Sequence, residues 1–434
     1  MGTMMRDGQR RSVTRCLLAI MVIAWMATIV AHPATSAASA IDGAEDVPVL
    51  AYYYIWYTPS SWSRAKSDLP LLGPYSSDDA DVMRDHIRWA KAAGIDGFIV
   101  SWKDTEALTR RLRQLVEIAR EESFALTINY ESLDFSRDPL PVEKVRADLR
   151  LFADMYADDP VFGLFGRPVV IWSGTWKYER SDIEWVAQDL RDQLRLLASQ
   201  KQPSAYLEIA DLVDGNAYYW SSVNPDTYPN YAGKLRDMAD AVHASGGLWI
   251  APAAPGFDAR HLGGEQRVDR QDGAMLKTQL ETALSSGPDA VGLISWNEFS
   301  ENSHIEPSCL YGARYLETIA SLIGGTPPDV SLRCDEAALA TARAGTNADL
   351  TASPPVDAGS IPSSSMFDWD SNAPEGRARL NGGVRGTVLL APLSALMLLS
   401  VFVVVRRSLR APMEPAGHPN PDGPAQEEAA DDTP

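Results

Sequence analysis

A chain of 434 residues, 45% apolar and 22% charged, has ordinary globular composition, which excludes full disorder, collagen and a polytopic membrane protein. Its formal net charge of −19 excludes a protein that grips nucleic acid by its phosphates, because that needs an excess of Lys and Arg. Twelve Trp and 15 Tyr against six His suit a neutral, polyhydroxylated ligand, with the majority of the rings still expected in the core.

The chain opens with Arg6, Arg10, Arg11 and Arg15, then an apolar run from Cys16 to Ala31, then the small residues Thr35 to Ala40. Positive, apolar and small-residue regions in that order predict a secretory signal over residues 1–40. An uncleaved anchor helix is the competing reading, and the Ala-rich exit disfavours it. Residues 47–325 then alternate between two periods. Strand-like runs fall at Val49–Tyr57, Gly97–Trp102, Ala125–Glu131, Pro168–Gly174, Asn216–Trp220, Gly247–Ala254 and Ala290–Trp296. Helix-like segments lie between them, at Ser77–Ala93, Glu106–Glu121, Val142–Tyr156, Ser181–Ser199, Tyr231–Ala244, Gly273–Ser285 and Leu310–Ile323. Strands alternating with amphipathic helices predict parallel βαβ units. The fold class is α/β, and a (β/α)8 TIM barrel is expected, with its eighth strand near Ala205–Ala210. A doubly wound open sheet is the alternative, but no glycine-rich phosphate loop follows any of these strands.

Beyond the barrel, residues 335–386 show little periodicity and carry Ser, Pro and Gly clusters, which predicts a disordered stalk. Residues 387–405 are free of charge and are followed at once by Arg406, Arg407 and Arg410. Nineteen apolar residues span a hydrocarbon core of about 30 Å, and the arginines predict a cytoplasmic C-terminal flank. Residues 406–434 are then a cytoplasmic tail, Pro-rich and acidic, expected to be disordered. The expected arrangement is a monomer with an exported catalytic domain, held at the cell membrane by one C-terminal span. Cys16 leaves with the signal, so Cys309 and Cys334 remain in an oxidising compartment and are expected to pair, ahead of two free thiols.

In a barrel of this kind the site lies at the C-terminal ends of the strands. There the sequence places Tyr52-Tyr-Tyr-Ile-Trp-Tyr57, Ser101-Trp102, Asn129-Tyr-Glu131, Trp172, Tyr218-Tyr-Trp220 and Ser295-Trp-Asn-Glu-Phe-Ser-Glu301. Rings that pack on the C–H faces of sugars, alternating with carboxylates that accept from hydroxyls, predict a carbohydrate cleft. Core packing is the competing reading for about half of the rings. Glu298 and Glu301 stand three apart past the last strand, with His304 and Glu306 after them, and are expected on a solvated rim. Two neighbouring carboxylates can divide acid and base roles.

The run Trp296-Asn-Glu-Phe-Ser-Glu-Asn-Ser-His-Ile-Glu-Pro307 resembles the Asn-Glu-Trp-x-Glu-Gly-Thr-Gln-Ile-Glu motif of glycoside hydrolase family 99, the endo-α-mannosidases and endo-α-1,2-mannanases. Tyr52–Tyr57, Gly73–Asp78, Ser101-Trp102, Thr127–Glu131, Asp214-Gly215 with Tyr219, and Ala251–Asp258 resemble further motifs of that family, in the same order. The resemblance covers residues 47–325. It implies retaining hydrolysis of an α-linked mannoside within a glycan chain, without metal or cofactor. It implies that Glu298 deprotonates the substrate's own 2-hydroxyl and that Glu301 is the acid/base. The implied substrate contacts are Glu131, Tyr219, Trp102, Tyr57, Trp296 and His304. Departures from the motif fall at Phe299, at Asn302-Ser-His304 and in the shortened loop Thr58–Leu72, which shape subsites. A glycan-transferring enzyme of envelope polysaccharide assembly and a non-catalytic glycan-binding ectodomain are the alternatives. Retention of both glutamates disfavours the second, and the missing phosphate cradle disfavours the first. The topology is tested by adding protease to intact cells: a soluble fragment ending within 335–386 is expected, and release of the 411–434 tail instead reverses the orientation.

Overall fold

The computed structural model describes residues 47–134 and 136–344. Eight parallel strands close a barrel: β1 Val49–Tyr54, β2 Gly97–Trp102, β3 Ala125–Glu131, β4 Val169–Ser173, β5 Arg195–Ala198, β6 Gly215–Ala217, β7 Leu248–Ala253 and β8 Ala290–Leu293. Every neighbouring pair is parallel, and β8 closes on β1 with Val49 opposite Val291. Each strand is followed by a helix: α1 Ala80–Ala92, α2 Glu106–Glu122, α3 Val142–Tyr156, α4 Arg180–Ala187, α5 Pro203–Leu207, α6 Tyr231–Ala244, α7 Ala274–Leu284 and α8 Arg314–Ile323. A (β/α)8 barrel is therefore the fold, with its elements running from Val49 to Ile323.

Local chemistry sets the boundaries. The Asp79 side chain accepts from the free N–H groups of Asp81 and Val82 and starts α1, whose Met83, His86, Ile87 and Ala90 face the barrel. Thr105 caps α2 in the same way through the Leu108 N–H. The strands alternate as the pleat requires. Tyr52 points into the barrel and meets Tyr219 edge-on, whereas Tyr53 points outward and stacks on Phe98 at 4.4 Å. The barrel interior is filled, and Gly292 makes room for it. A Cβ there would stand 2.9 Å from the Tyr52 ring and 3.4 Å from both Ile99 and Ile250.

The eighth strand is not where the sequence pattern placed it. The missing strand is β5, Arg195–Ala198, inside the segment expected to be one helix over Ser181–Ser199. Leu190, Leu194 and Leu197 continue the helical spacing of Ile183 and Val186, so a short buried strand passes for the end of α4. The stretch around Ala205 is instead the short helix α5, begun by Pro203 at its first position.

A ninth helix, α9, spans Glu336–Ala344, within the segment expected to open the stalk. It buries Leu339 and Ala342, and the Ala342 carbonyl accepts from the Lys66 N–H at 3.2 Å. The apolar pair Leu339 and Ala342, three apart, gives α9 a face to bury, so the ordered chain extends past residue 335. The signal over 1–40, the stalk beyond residue 344, the span 387–405 and the tail 406–434 lie outside the described residues. Among the described residues no helix is long and apolar enough to cross a membrane.

Cys309 and Cys334 are joined as a disulfide across a separation of 25 residues, tying the chain that leads to α9 back to the loop before α8. Closing a loop of that length stabilises by roughly 3 kcal/mol in the chain-entropy estimate. Replacing both cysteines by serine is expected to lower the unfolding free energy by about that amount, read from the urea midpoint.

Candidate active site

The site is built on the loop that follows β8. Its first device is Asn297. The Asn297 side chain accepts from the Tyr54 N–H at 2.9 Å and donates to the Tyr54 carbonyl at 3.0 Å. The amide thus acts as a further rung of the β1–β8 ladder, beyond the last strand residue. Trp296 N–H adds a bond to the Tyr52 carbonyl at 2.8 Å. Tyr57 donates its hydroxyl to the Asn297 carbonyl at 2.6 Å. The loop then turns tightly. Glu298 N–H donates to Ser295 Oγ at 2.8 Å, and Ser300 N–H donates to Glu298 Oε1 at 3.0 Å. The Asp258 N–H, on a two-residue hairpin after β7, donates to the Glu301 carbonyl at 2.7 Å.

Both glutamates are withdrawn from water, Glu298 at 3% exposure and Glu301 at 0%. The expected solvated rim is therefore replaced by a buried pair, because the loop folds back over the barrel mouth through Ser303, Ile305 and Glu306. Burial, and then the Glu301 charge, push Glu298 up to about 8, while Lys66 and the Ser300 hydrogen bonds pull the other way. Two buried carboxylates this close raise the proton affinity of one by the charge of the other. Glu131, at the end of β3, is buried as well and is pushed up to about 7 by that burial, against the hydrogen bonds of Ser101 and Asn129. Tyr54 joins the three carboxylates. Its hydroxyl is 2.6 Å from the Tyr219 hydroxyl. Its proton is held well above the usual phenol range by burial, then by Tyr219, Glu298, Glu301 and Glu131.

The other expected site residues divide by direction. Glu131 and Tyr219 face the cluster around Tyr54. Trp102 does not: it is on the outward side of β2, donates its indole N–H to Thr109 of α2 and packs on Tyr130 and Phe152. Trp296 likewise packs on Phe98 and on His86 of α1. Strand alternation decides the case of Trp102, since Ser101 beside it holds the inward position. Tyr57 and His304 support the loop from behind. Tyr57 stacks on Trp62 at 4.7 Å. His304 stacks on Phe299 at 4.0 Å and sits between Asp68 and Arg270. Burial and the Arg270 charge lower His304 to about 4, so the ring is neutral, with Nε2–H donating to Asp68. Burial works to raise Asp68, but its bonds from His304 and the Leu310 N–H hold it below the usual range.

Sequence reasoning missed Tyr54, Lys66, Asp68 and Arg270. Tyr54 stood within a recognised motif, and alternation from Tyr52 would have placed it inward. Lys66 and Asp68 lie in Arg64-Ala-Lys-Ser-Asp68, which reads as a solvated loop and carries no positional signal. Among the described residues no group of three His, Cys, Asp or Glu side chains could hold a metal ion.

Residues 71–314 match the family model described as Glycosyl hydrolase family 71. Glycoprotein endo-alpha-1,2-mannosidase of Mus musculus is 21% identical over 264 residues, 55% of this chain and 56% of that protein. The glycoprotein endo-alpha-1,2-mannosidase-like protein of Homo sapiens is 21% identical over 262 residues, with 55% and 56% covered. The chain thus spans little more than half the length of the curated relatives it matches. The GH99 endo-alpha-mannosidase of Bacteroides thetaiotaomicron, solved in complex with BIS-TRIS-Propane, superposes with a TM-score of 0.56 at 20% identity, covering 63% of this chain and 95% of that one. At that identity the likeness shows the shared fold.

The division into inward and outward rings is testable. Trp102→Phe is expected to cost about 1–3 kcal/mol of stability, by losing a buried hydrogen bond and packing volume, with KM unchanged. Tyr219→Phe is expected to leave the melting temperature within a few degrees and to lower kcat/KM by about tenfold. Equal effects of both on KM would reverse the assignment.

Proposed function

This chain belongs to glycosyl hydrolase family 71, and from that premise we propose that it cleaves α-mannoside-type linkages within a glycan chain, with retention at the anomeric carbon. It is a glycoside hydrolase. The mannose-type substrate and the internal cut are supported by the endo-mannosidase relatives and by the barrel shared with the GH99 enzyme. The observation that carries the mechanism is the buried Glu298–Glu301 pair, hung three residues apart from the last barrel strand, with Glu298 raised to about 8. Such a pair is half base and half acid before any substrate arrives, which is the state a glycosidase needs.

In the mechanism we propose, Glu298 takes the proton of the sugar's 2-hydroxyl. The freed oxygen attacks the anomeric carbon and forms an anhydro-sugar. Glu301 gives its proton to the departing glycosidic oxygen. Water then enters, loses a proton to Glu301 and opens the anhydro ring, and the 2-oxygen recovers its proton from Glu298. Each step leaves one proton on the pair. Glu131, Tyr54 and Tyr219 stand where hydroxyls of the bound sugar would be read. The exported, membrane-tethered placement belongs to this reading too. It is supported by the arginine-flanked apolar runs at both ends of the sequence and by the Cys309–Cys334 disulfide, which suits an oxidising compartment.

The purified full chain is to be incubated with a panel of α-mannans and α-glucans. Oligosaccharide release from an α-mannan is expected; donor-dependent extension points instead to a glycan-transferring enzyme, and binding alone to a lectin-like domain. Glu298→Gln and Glu301→Gln are each expected to lower kcat by about 10²–10⁴-fold. The pH dependence has a definite sign. The competent pair carries one proton, so kcat/KM falls as pH rises through about 8, where that proton is lost. A rate still climbing well above pH 9, or rapid turnover of a 2-deoxy substrate, overturns the scheme.

A further inference from the structure

Lys66 is the buried cation nearest the functional pair. It is 2% exposed, and it lies in the loop between β1 and α1, where nothing in the mechanism so far uses it. Its ammonium reaches Ser300 Oγ at 3.4 Å, and the Ser300 N–H donates to Glu298 Oε1 at 3.0 Å. The Trp62 ring lies under the ammonium, 5.8 Å from it. A lysine is expensive to bury, and burial pulls Lys66 down to about 8 against the attraction of Glu298. That cost is met at one place only in the described structure, facing the carboxylate pair.

The backbone around Lys66 is fixed from outside the barrel. Its own N–H donates to Ala342 of α9, and Arg343 of α9 donates to the Ser67 carbonyl at 3.2 Å. Asp68, two residues on, is bound by His304 and by the Leu310 N–H. Leu69 accepts from the Cys309 N–H, beside the disulfide. The lysine and the helix that holds it both fall outside residues 71–314, the part that matches the family model.

We propose that Lys66 is a positioning residue that acts through Ser300 to favour the charged form of Glu298, and so brings the proton affinity of that carboxylate down toward what a base needs. This rests on the reading of Glu298 as the base and names what makes the two glutamates unequal. A cation beside one member of a carboxylate pair stabilises its ionised form and lowers its proton affinity. The groups facing Glu298 are Glu301, Lys66, Tyr54 and Tyr57, of which Lys66 alone is cationic. Around Lys66 stand Glu298 and Ser300 from the loop after β8, Arg64 from its own loop, and Arg343 of α9 against the next residue.

The test does not need a substrate. In the full chain with ¹³C-labelled glutamate, the Glu298 carboxyl signal is identified by its loss in Glu298→Gln and followed by titration. In Lys66→Met its midpoint is expected to rise by about one pH unit, tenfold in proton affinity. Lys66→Arg is expected to keep it within a few tenths of a unit. Where a glycan is cleaved, the alkaline limb of kcat/KM moves up by the same amount in Lys66→Met, and kcat falls with KM unchanged. A folded Lys66→Met with an unmoved Glu298 midpoint overturns the proposal, whether or not any glycan is cleaved. If Lys66→Met does not fold, Ser300→Ala decides. A smaller upward shift supports the link, and no shift refutes it.

Discussion

Two carboxylates brought together out of water cannot both stay charged. That constraint organises this molecule. Glu298 and Glu301 sit three residues apart on a turn whose backbone is spent on holding them: Ser295 takes one N–H, Glu298 itself takes the Ser300 N–H, and Asp258 donates to the Glu301 carbonyl. Because the turn is covered by its own return to Ser303 and Ile305, the mutual repulsion is not screened by solvent. Glu298 is held above the usual carboxylate range as a result. The same withdrawal from water raises Glu131 and the Tyr54 phenol, so the barrel mouth is populated by groups that part with protons reluctantly.

Such a pair disfavours the folded state, and two hydrogen-bonded polar chains beside the loop offset part of that. His86 donates through Nε2 to Glu306 at 3.0 Å and accepts at Nδ1 from Tyr53, while Tyr75 donates to the other oxygen of Glu306. Asp68, neutral His304 and Arg270 form a second chain on the opposite flank, with Arg270 gripping the Asn302 carbonyl and lying over the Tyr311 and Tyr315 rings. Removing one member of a buried ionic chain typically costs about 3–5 kcal/mol, because the partner is left charged and alone. These networks therefore tie the loop down on both flanks of the carboxylate pair.

The fold was legible because barrels repeat their signal. Val142–Tyr156 and Tyr231–Ala244 carry the apolar spacing of amphipathic helices, and the structure has helices over the same residues. Strand β5 was illegible for a physical reason. Its three buried residues, Leu196, Leu197 and Ala198, offer no polar alternation, and Leu194 and Leu197 extend the helical pattern before them. The carboxylate pair was legible as chemistry, through glutamates in a Trp-Asn-Glu setting. Its burial was not, since the loop that returns over it is held in place by bonds between residues more than two hundred positions apart. Asn297 to Tyr54 and His304 to Asp68 are two of them. Lys66 and α9 belong to the same class, long-range contacts without a local pattern.

The abundance of aromatic residues turns out to have two causes that composition cannot separate. Tyr53, Phe98, Trp102, Tyr130 and Trp296 are outward-facing and fill the layer between strands and helices. Tyr52, Tyr54 and Tyr219 are inward-facing and carry hydroxyls into the mouth. The two groups interleave along a strand because the pleat sends successive residues to opposite faces. In Tyr52-Tyr-Tyr54 a single run therefore supplies a phenol to the site, a ring to the α1 contact and a phenol to the site again. The inward set is mainly tyrosine, with the Trp56 ring stacked on Tyr54 at 4.3 Å. A hydroxyl at the end of a ring can carry a hydrogen-bond chain across the barrel, as Tyr54 and Tyr219 do at 2.6 Å, and an indole N–H, a donor only, cannot. What composition suggested as a sugar-stacking surface includes, in its inner half, phenols that feel the charges of Glu131 and of the Glu298–Glu301 pair.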